Sequence, residues 1–132
     1  MEERRAGALV FHLDLSQPLY EQILQQMRQA IAKGEIRPGD KIPSVREMAQ
    51  ALRVNPNTVS HAYQELDRDG LTETRRGQGT FITTSPERIE RFRQTLARRV
   101  TQEFIRQMQA FGFGWDDIRA LLREAQDDSR ET

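Results

Sequence analysis

Two helix-start signals, at Ser44 and Asn55, lie so close together that the helices they open can be joined only by a brief turn. Ser44 and Glu47 have capping-box spacing, in which each side chain satisfies an orphan backbone N–H of the first turn. Val45, Met48, Ala49 and Leu52 then recur at helical intervals and predict one inward face. A few residues later Asn55-Pro56 starts a second helix, which runs to Asp69 and stops at Gly70. Two short helices joined this tightly cross steeply, which is the helix-turn-helix arrangement.

On the second helix Val59, Ala62, Tyr63 and Leu66 fall on the inner side. Asn57, Thr58, Ser60, His61 and Gln64 are left outside, with no carboxylate until Glu65. Amides and hydroxyls pair with base edges and phosphate oxygens, so this face suits a DNA groove. By itself it better suits an ordinary solvated surface, since polar faces are normal on helices. Its neighbours decide between the two. Residues 71–75 and 80–84 read as strands joined by Arg76-Gly77-Gln78-Gly79, and with Arg75 the loop forms a cationic finger. A basic hairpin directly after such a helix is the wing of a winged helix-turn-helix. The same charges also discourage strand pairing at a hairpin edge, with Glu73 close by.

The flanks extend the pattern. Residues 9–15 alternate apolar and polar, which predicts a short strand or an extended arm. Ser16 is expected to cap a helix with Pro18 in its first turn, an inner stripe of Leu19, Ile23, Met27, Ala30 and Ile31, and a stop at Gly34. Arg37-Pro38-Gly39-Asp40 reads as a turn. Ser85-Pro86-Glu87 opens a long helix over 86–111, about 39 Å at 1.5 Å per residue. Ile89, Phe92, Leu96, Val100, Phe104, Met108 and Phe111 recur along it at intervals of three and four. After Gly112 and Gly114 a last helix starts at Trp115, with acids at its positive end, and the residues from Asp127 on are expected to fray.

The last helix supplies only Ile118, Leu121, Leu122 and Ala125 to cover that stripe, so pairing with a second copy is the expected solution. The predicted homodimer seam comprises Phe92, Leu96, Val100, Phe104, Met108, Phe111, Ile118, Leu121 and Leu122. The expected fold is mainly α with a small β-hairpin wing: a winged helix-turn-helix domain over 9–83 and a two-helix dimerisation tail over 85–128.

Composition removes several alternatives. The 132 residues include 20 basic and 20 acidic side chains, with the two signs balanced within each region, so any nucleic-acid affinity rests on local placement of charge. There is no cysteine, and the two histidines, His12 and His61, are too few for a histidine metal cluster. No metal or cofactor is expected. No apolar run is long enough to span a membrane, and Met1-Glu2-Glu3-Arg4-Arg5 is too weak a start for a signal peptide, so a cytoplasmic protein is expected. Asp67 and Asp69 read as solvated rather than catalytic, and Arg76-Gly77-Gln78-Gly79 lacks the lysine of a nucleotide loop. An enzyme is not expected.

The strings Leu19-Tyr20-Glu21-Gln22-Ile23, Arg37 through Ala49, Val54 through Tyr63 and Arg76 through Phe81 together resemble the GntR family of bacterial transcription regulators. The short two-helix tail and Val54-Asn55-Pro56-Asn57-Thr58-Val59 are similar to its YtrA-type subfamily, small dimeric repressors often encoded beside transporter genes. The resemblance implies a palindromic double-stranded DNA operator as partner. It places Ser44 and Arg46 where the first helix meets DNA, with the arginine at a base or phosphate, Asn57, Thr58, Ser60 and His61 on the reading helix, and Gly77 and Gln78 at the wing tip; Asn55, Arg75, Arg76 and Gly79 are further candidate DNA contacts. Two positions depart from the pattern: Arg53 stands where glycine is common, and His61 where a basic residue is frequent. A small-molecule effector held by the tail, lined by Phe111, Phe113 and Trp115, is the alternative reading, and its identity is unknown.

Overall fold

A computed structural model describes residues 1–131. The chain opens on an antiparallel hairpin, β1 (Glu2–Ala6) and β2 (Leu9–Leu13), followed by α1 (Leu19–Lys33). A two-residue strand β3 (Lys41–Ile42) leads into α2 (Val45–Leu52) and α3 (Pro56–Arg68). The strands β4 (Thr72–Arg75) and β5 (Gly79–Ile82) follow, then the long α4 (Pro86–Ala110) and α5 (Trp115–Glu131). β5 is central in a three-stranded antiparallel sheet of order β3-β5-β4. This is the expected winged helix-turn-helix with a helical tail.

One compact unit spans Met1–Arg93 and a second starts at Gln94. The first therefore takes in β1 and the opening turns of α4 as well as residues 9–83. Its core is a single cluster to which every element of that unit but β4 contributes a buried apolar side chain, among them Phe11, Met27, Ile42, Leu52, Leu66, Ile82 and Ile89. Leu71, just before β4, is buried there too.

The α1 start differs from expectation. Pro18 occupies the N-cap position with no side-chain cap, because the Ser16 hydroxyl donates to the Asp14 carboxylate at 2.6 Å instead. That bond and one from the Ser16 amide hold the Asp14 carboxyl below its usual range. α1 is bound to β2 by two glutamines. Gln26 accepts from the His12 amide at 2.8 Å and donates to the His12 carbonyl at 2.7 Å. Gln22 does the same for Asp14, at 2.8 and 2.9 Å.

Helices α1, α3 and α4 stop alike. A glycine (Gly34, Gly70 or Gly112) takes positive φ, and the next amide bonds back to the carbonyl five residues earlier. α2 ends in the same motif without glycine. Arg53, at φ 56 and ψ 51, is the one non-glycine residue with positive φ among the described residues. α5 continues to Glu131, and Thr132, the last residue of the tail expected to fray, lies outside the described residues.

Candidate nucleic-acid interface

The start of α2, the inner side of α3 through Tyr63 and the β5 strand of the wing meet around residues 41–44. Ser44 caps α2 as expected: its Oγ accepts from the Glu47 amide at 3.1 Å, and Glu47 accepts from the Ser44 amide at 3.0 Å. The Ser44 backbone donor, with its hydroxyl, holds the Glu47 carboxyl below the usual range. One residue before this cap, the Pro43 carbonyl accepts from the Tyr63 hydroxyl at 2.6 Å, tying α3 to the beginning of α2. On the other side β3 pairs with β5, Lys41 opposite Phe81 and Ile42 opposite Thr80. The wing is therefore anchored two residues before the α2 cap.

Burial pushes the Tyr63 hydroxyl well above the ordinary tyrosine pKa, and the Glu47 charge adds to the effect. A group raised in the folded state contributes stability that is fully present below its unfolded pKa, about 10, and is lost as pH rises through the folded value. Stability should thus decline in alkaline solution from about pH 10 upward. Tyr63→Phe should lower neutral-pH stability by about 1–2 kcal/mol and flatten that decline. Urea titrations at pH 7 and above pH 10 measure both, and an unchanged alkaline slope in the variant would count against Tyr63 as its source.

α3 starts at Asn55, whose Oδ1 accepts from the Asn57 amide at 2.8 Å, with Pro56 in the first turn. Val59, Ala62, Tyr63 and Leu66 are buried, while Asn57, His61 and Gln64 are exposed and Thr58 and Ser60 half-buried. The His61 ring does not project alone: it stacks on Tyr20 of α1, centroids 3.9 Å apart and planes 9° from parallel. Glu65, the first carboxylate on this helix, is paired with Arg68 at 2.8 Å.

Arg46 is exposed and forms no ion pair among the described residues. In the wing the two arginines differ. The Arg75 guanidinium lies 4.1 Å from the centre of the Phe81 ring and 3.6 Å from Glu73, so it is held against the sheet. Arg76, Gly77 and Gln78 form the exposed tip, closed by the Gln78 amide on the Arg75 carbonyl at 2.9 Å. Gly79 has φ 121, and a Cβ there would stand 2.8 Å from Lys41 Cε. Glycine thus lets an exposed lysine lie along the base of the wing. Lys41 is a cation that sequence reasoning passed over, because only the β3–β5 pairing brings it there.

Asp69 is not solvated as expected. Arg28 donates to both its carboxylate oxygens, at 2.8 and 3.2 Å, and its guanidinium lies 5.9 Å from the centre of the Phe92 ring. Phe92, expected in a seam between copies, packs at the margin of the first unit's core. Ile118 is likewise covered within its own chain, at 2 % exposure. The other seam residues retain surface: Leu96 and Met108 are half-buried, and Val100, Phe104, Phe111, Leu121 and Leu122 are exposed, Val100 at 61 %. Val100, Phe104, Ile105, Trp115, Ile118 and Leu122 line an apolar hollow of about 490 Å³. No helix among the described residues is long and apolar enough to cross a membrane.

A family model described as "Bacterial regulatory proteins, gntR family" matches residues 19–82. The chain is 46% identical over 103 residues to the uncharacterized HTH-type transcriptional regulator YhcF of Bacillus subtilis, covering 78% of this chain and 85% of that one. It is 59% identical over 68 residues to the HTH-type transcriptional repressor YtrA of the same organism, covering 52% of each. Among solved structures it is similar to a GntR family transcriptional regulator from Listeria monocytogenes, with TM-score 0.76, 37% identity, and 85% of this chain and 98% of that chain covered.

Proposed function

The chain belongs to the GntR family of bacterial regulatory proteins, and from that premise we propose that it is a sequence-specific DNA-binding repressor of the YtrA type, acting as a symmetric homodimer. The observation that carries this reading is the outer row of α3. Asn57, His61 and Gln64 stand exposed, Ser60 lies beside them, and the first carboxylate, Glu65, is neutralised by Arg68. Such a row can enter a phosphate-lined groove without bringing an unpaired anion with it.

In this reading α3 lies in the major groove, Ser44, Asn55 and Thr58 steady the backbone, and Arg46 reaches a base or phosphate. Arg76, Gly77 and Gln78 touch the flanking groove, while Arg75 and Gly79 shape the wing. Twofold symmetry calls for a palindromic operator with half-sites about one helical turn, or a multiple, apart. Transporter genes are the proposed targets. The exposed apolar groups of α4 and α5 supply the seam between copies. A second reading, in which the tail senses a small apolar effector, is favoured by the 490 Å³ hollow. A thermal-shift screen of metabolites separates it from a constitutive repressor.

Selection of duplexes from a random pool by the purified chain tests the main reading and should return a palindrome. On the selected site Arg46→Ala should weaken binding by about 1–3 kcal/mol and relax preference at one position per half-site. Unchanged affinity in a gel-shift titration would remove Arg46 from the interface.

A further inference from the structure

We propose that Arg4 is a positioning residue for DNA binding: from the N-terminal strand it closes the C-terminal end of α2 and so fixes the turn that launches α3. The proposal rests on the DNA-binding reading above, but its geometry stands apart from that reading. At the end of α2 the Val54 amide bonds to the Ala49 carbonyl at 3.0 Å and the Arg53 amide to the Gln50 carbonyl at 3.3 Å. Those two bonds close the turn yet leave the last carbonyls of the helix in want of donors. Arg4 Nη1 donates to the Leu52 carbonyl and reaches the Arg53 carbonyl at 3.5 Å. The donor thus comes from a residue 48 positions away.

The charge matters as much as the bond. α2 has no basic residue in its last turn, whereas α1 has Lys33 and α3 has Arg68. Arg4 brings a guanidinium to the negative end of the helix, beside the C-cap residue Arg53. It is itself held in place, with its side chain only 9 % exposed and the Glu2 carboxylate 2.6 Å from Nη2 and 3.1 Å from Nε. The turn it serves needs support, because Arg53 sits in the left-handed region that glycine fills at the ends of α1, α3 and α4. Asn55, which caps α3, follows two residues later. Loosening this turn would let α3 shift against α2, and with it the polar row and Arg46.

The full-length chain with Arg4→Met, which keeps most of the aliphatic stem but no donor or charge, gives the test, with Arg4→Lys as the conservative rescue. Amide hydrogen exchange by NMR should show Arg53 and Val54 exchanging about tenfold faster in Arg4→Met, with Met27 and Ile31 in α1 unaffected. Affinity for a duplex that the wild-type chain selects from a random pool should fall about tenfold, with partial recovery in Arg4→Lys. The salt dependence should not change, since the side chain acts on α2 and not on phosphate. Unchanged exchange at Arg53 and Val54 overturns the proposal. So does a salt slope that drops by about one, which would make Arg4 a phosphate contact. If the wild-type chain retains no duplex, the DNA-binding reading falls and Arg4's part in it too, while the exchange result still decides whether Arg4 closes the turn.

Discussion

A chain carrying Phe104→Asp together with Leu122→Asp will sediment as single chains at micromolar concentration and lose about 10²–10⁴-fold in operator affinity. Both side chains line the apolar hollow of the second unit, and both retain surface, 38 % and 53 % exposed. In the proposed dimer the two substitutions, made in each copy, place four carboxylates in a dry seam, where unpaired charge is costly. The winged unit should be undisturbed, because neither residue belongs to its core. Binding at one half-site should therefore survive. What disappears is the advantage of two linked half-sites, where the second contact forms at high effective concentration. The prediction has added weight in a chain of zero net charge, which cannot make up the loss through general attraction to phosphate. Analytical ultracentrifugation and gel shifts on full and half operators check it. A variant that still sediments as a dimer would move the seam elsewhere.

The second large effect concerns stability. Arg28→Ala should destabilise the winged unit by about 2–4 kcal/mol, on the scale of a broken, largely buried ion pair. Arg28 and Asp69 have side chains only 16 % and 17 % exposed, and the guanidinium forks across both carboxylate oxygens. Removing it strands a carboxylate at the C-terminal, negative end of α3, where the helix dipole opposes it. It also uncovers one side of Phe92. For a unit of this size each kcal/mol corresponds to about 4–8 °C in Tm, so calorimetry will resolve the change. Asp69→Asn should cost less alone, and the double variant should cost less than the sum. Simple additivity would mean that Arg28 acts through packing alone.

What could be read from the sequence was local. The Ser44–Glu47 box, the Asn55 cap and the stops at Gly34 and Gly70 involve residues within a few positions of one another, and the structure forms each of them. The wing loop carried its own glycines. What escaped depends on partners distant in the chain. β1 reads as a charged leader, since its covered positions are Arg4 and Ala6, and only pairing with β2 makes it a strand. β3 is two residues long and exists through β5. Arg28 meets Asp69 across 41 positions, and His61 finds Tyr20 across the α1–α3 contact. Ser16 misled because a nearer acceptor, Asp14, takes its hydroxyl. The polar row of α3 was legible as composition, whereas the loss of Arg75 to Phe81 and the approach of Lys41 to the wing were not.

The two glutamines of α1 have a consequence for assembly. A carboxamide is chemically a peptide group, and residues four apart on a helix rise about 6.0 Å, close to the 6.4–6.8 Å between alternate residues of a strand. Gln22 and Gln26 therefore present Asp14 and His12 with what a neighbouring antiparallel strand would offer. The hairpin's outer rung is filled by a helix posing as a strand. That rung cannot recruit the same segment of another copy, and β1, the hairpin's remaining edge, carries the charged run Glu2-Glu3-Arg4-Arg5. Association through backbone ladders is thus discouraged at both edges, which leaves the exposed apolar groups of the tail to the proposed dimer.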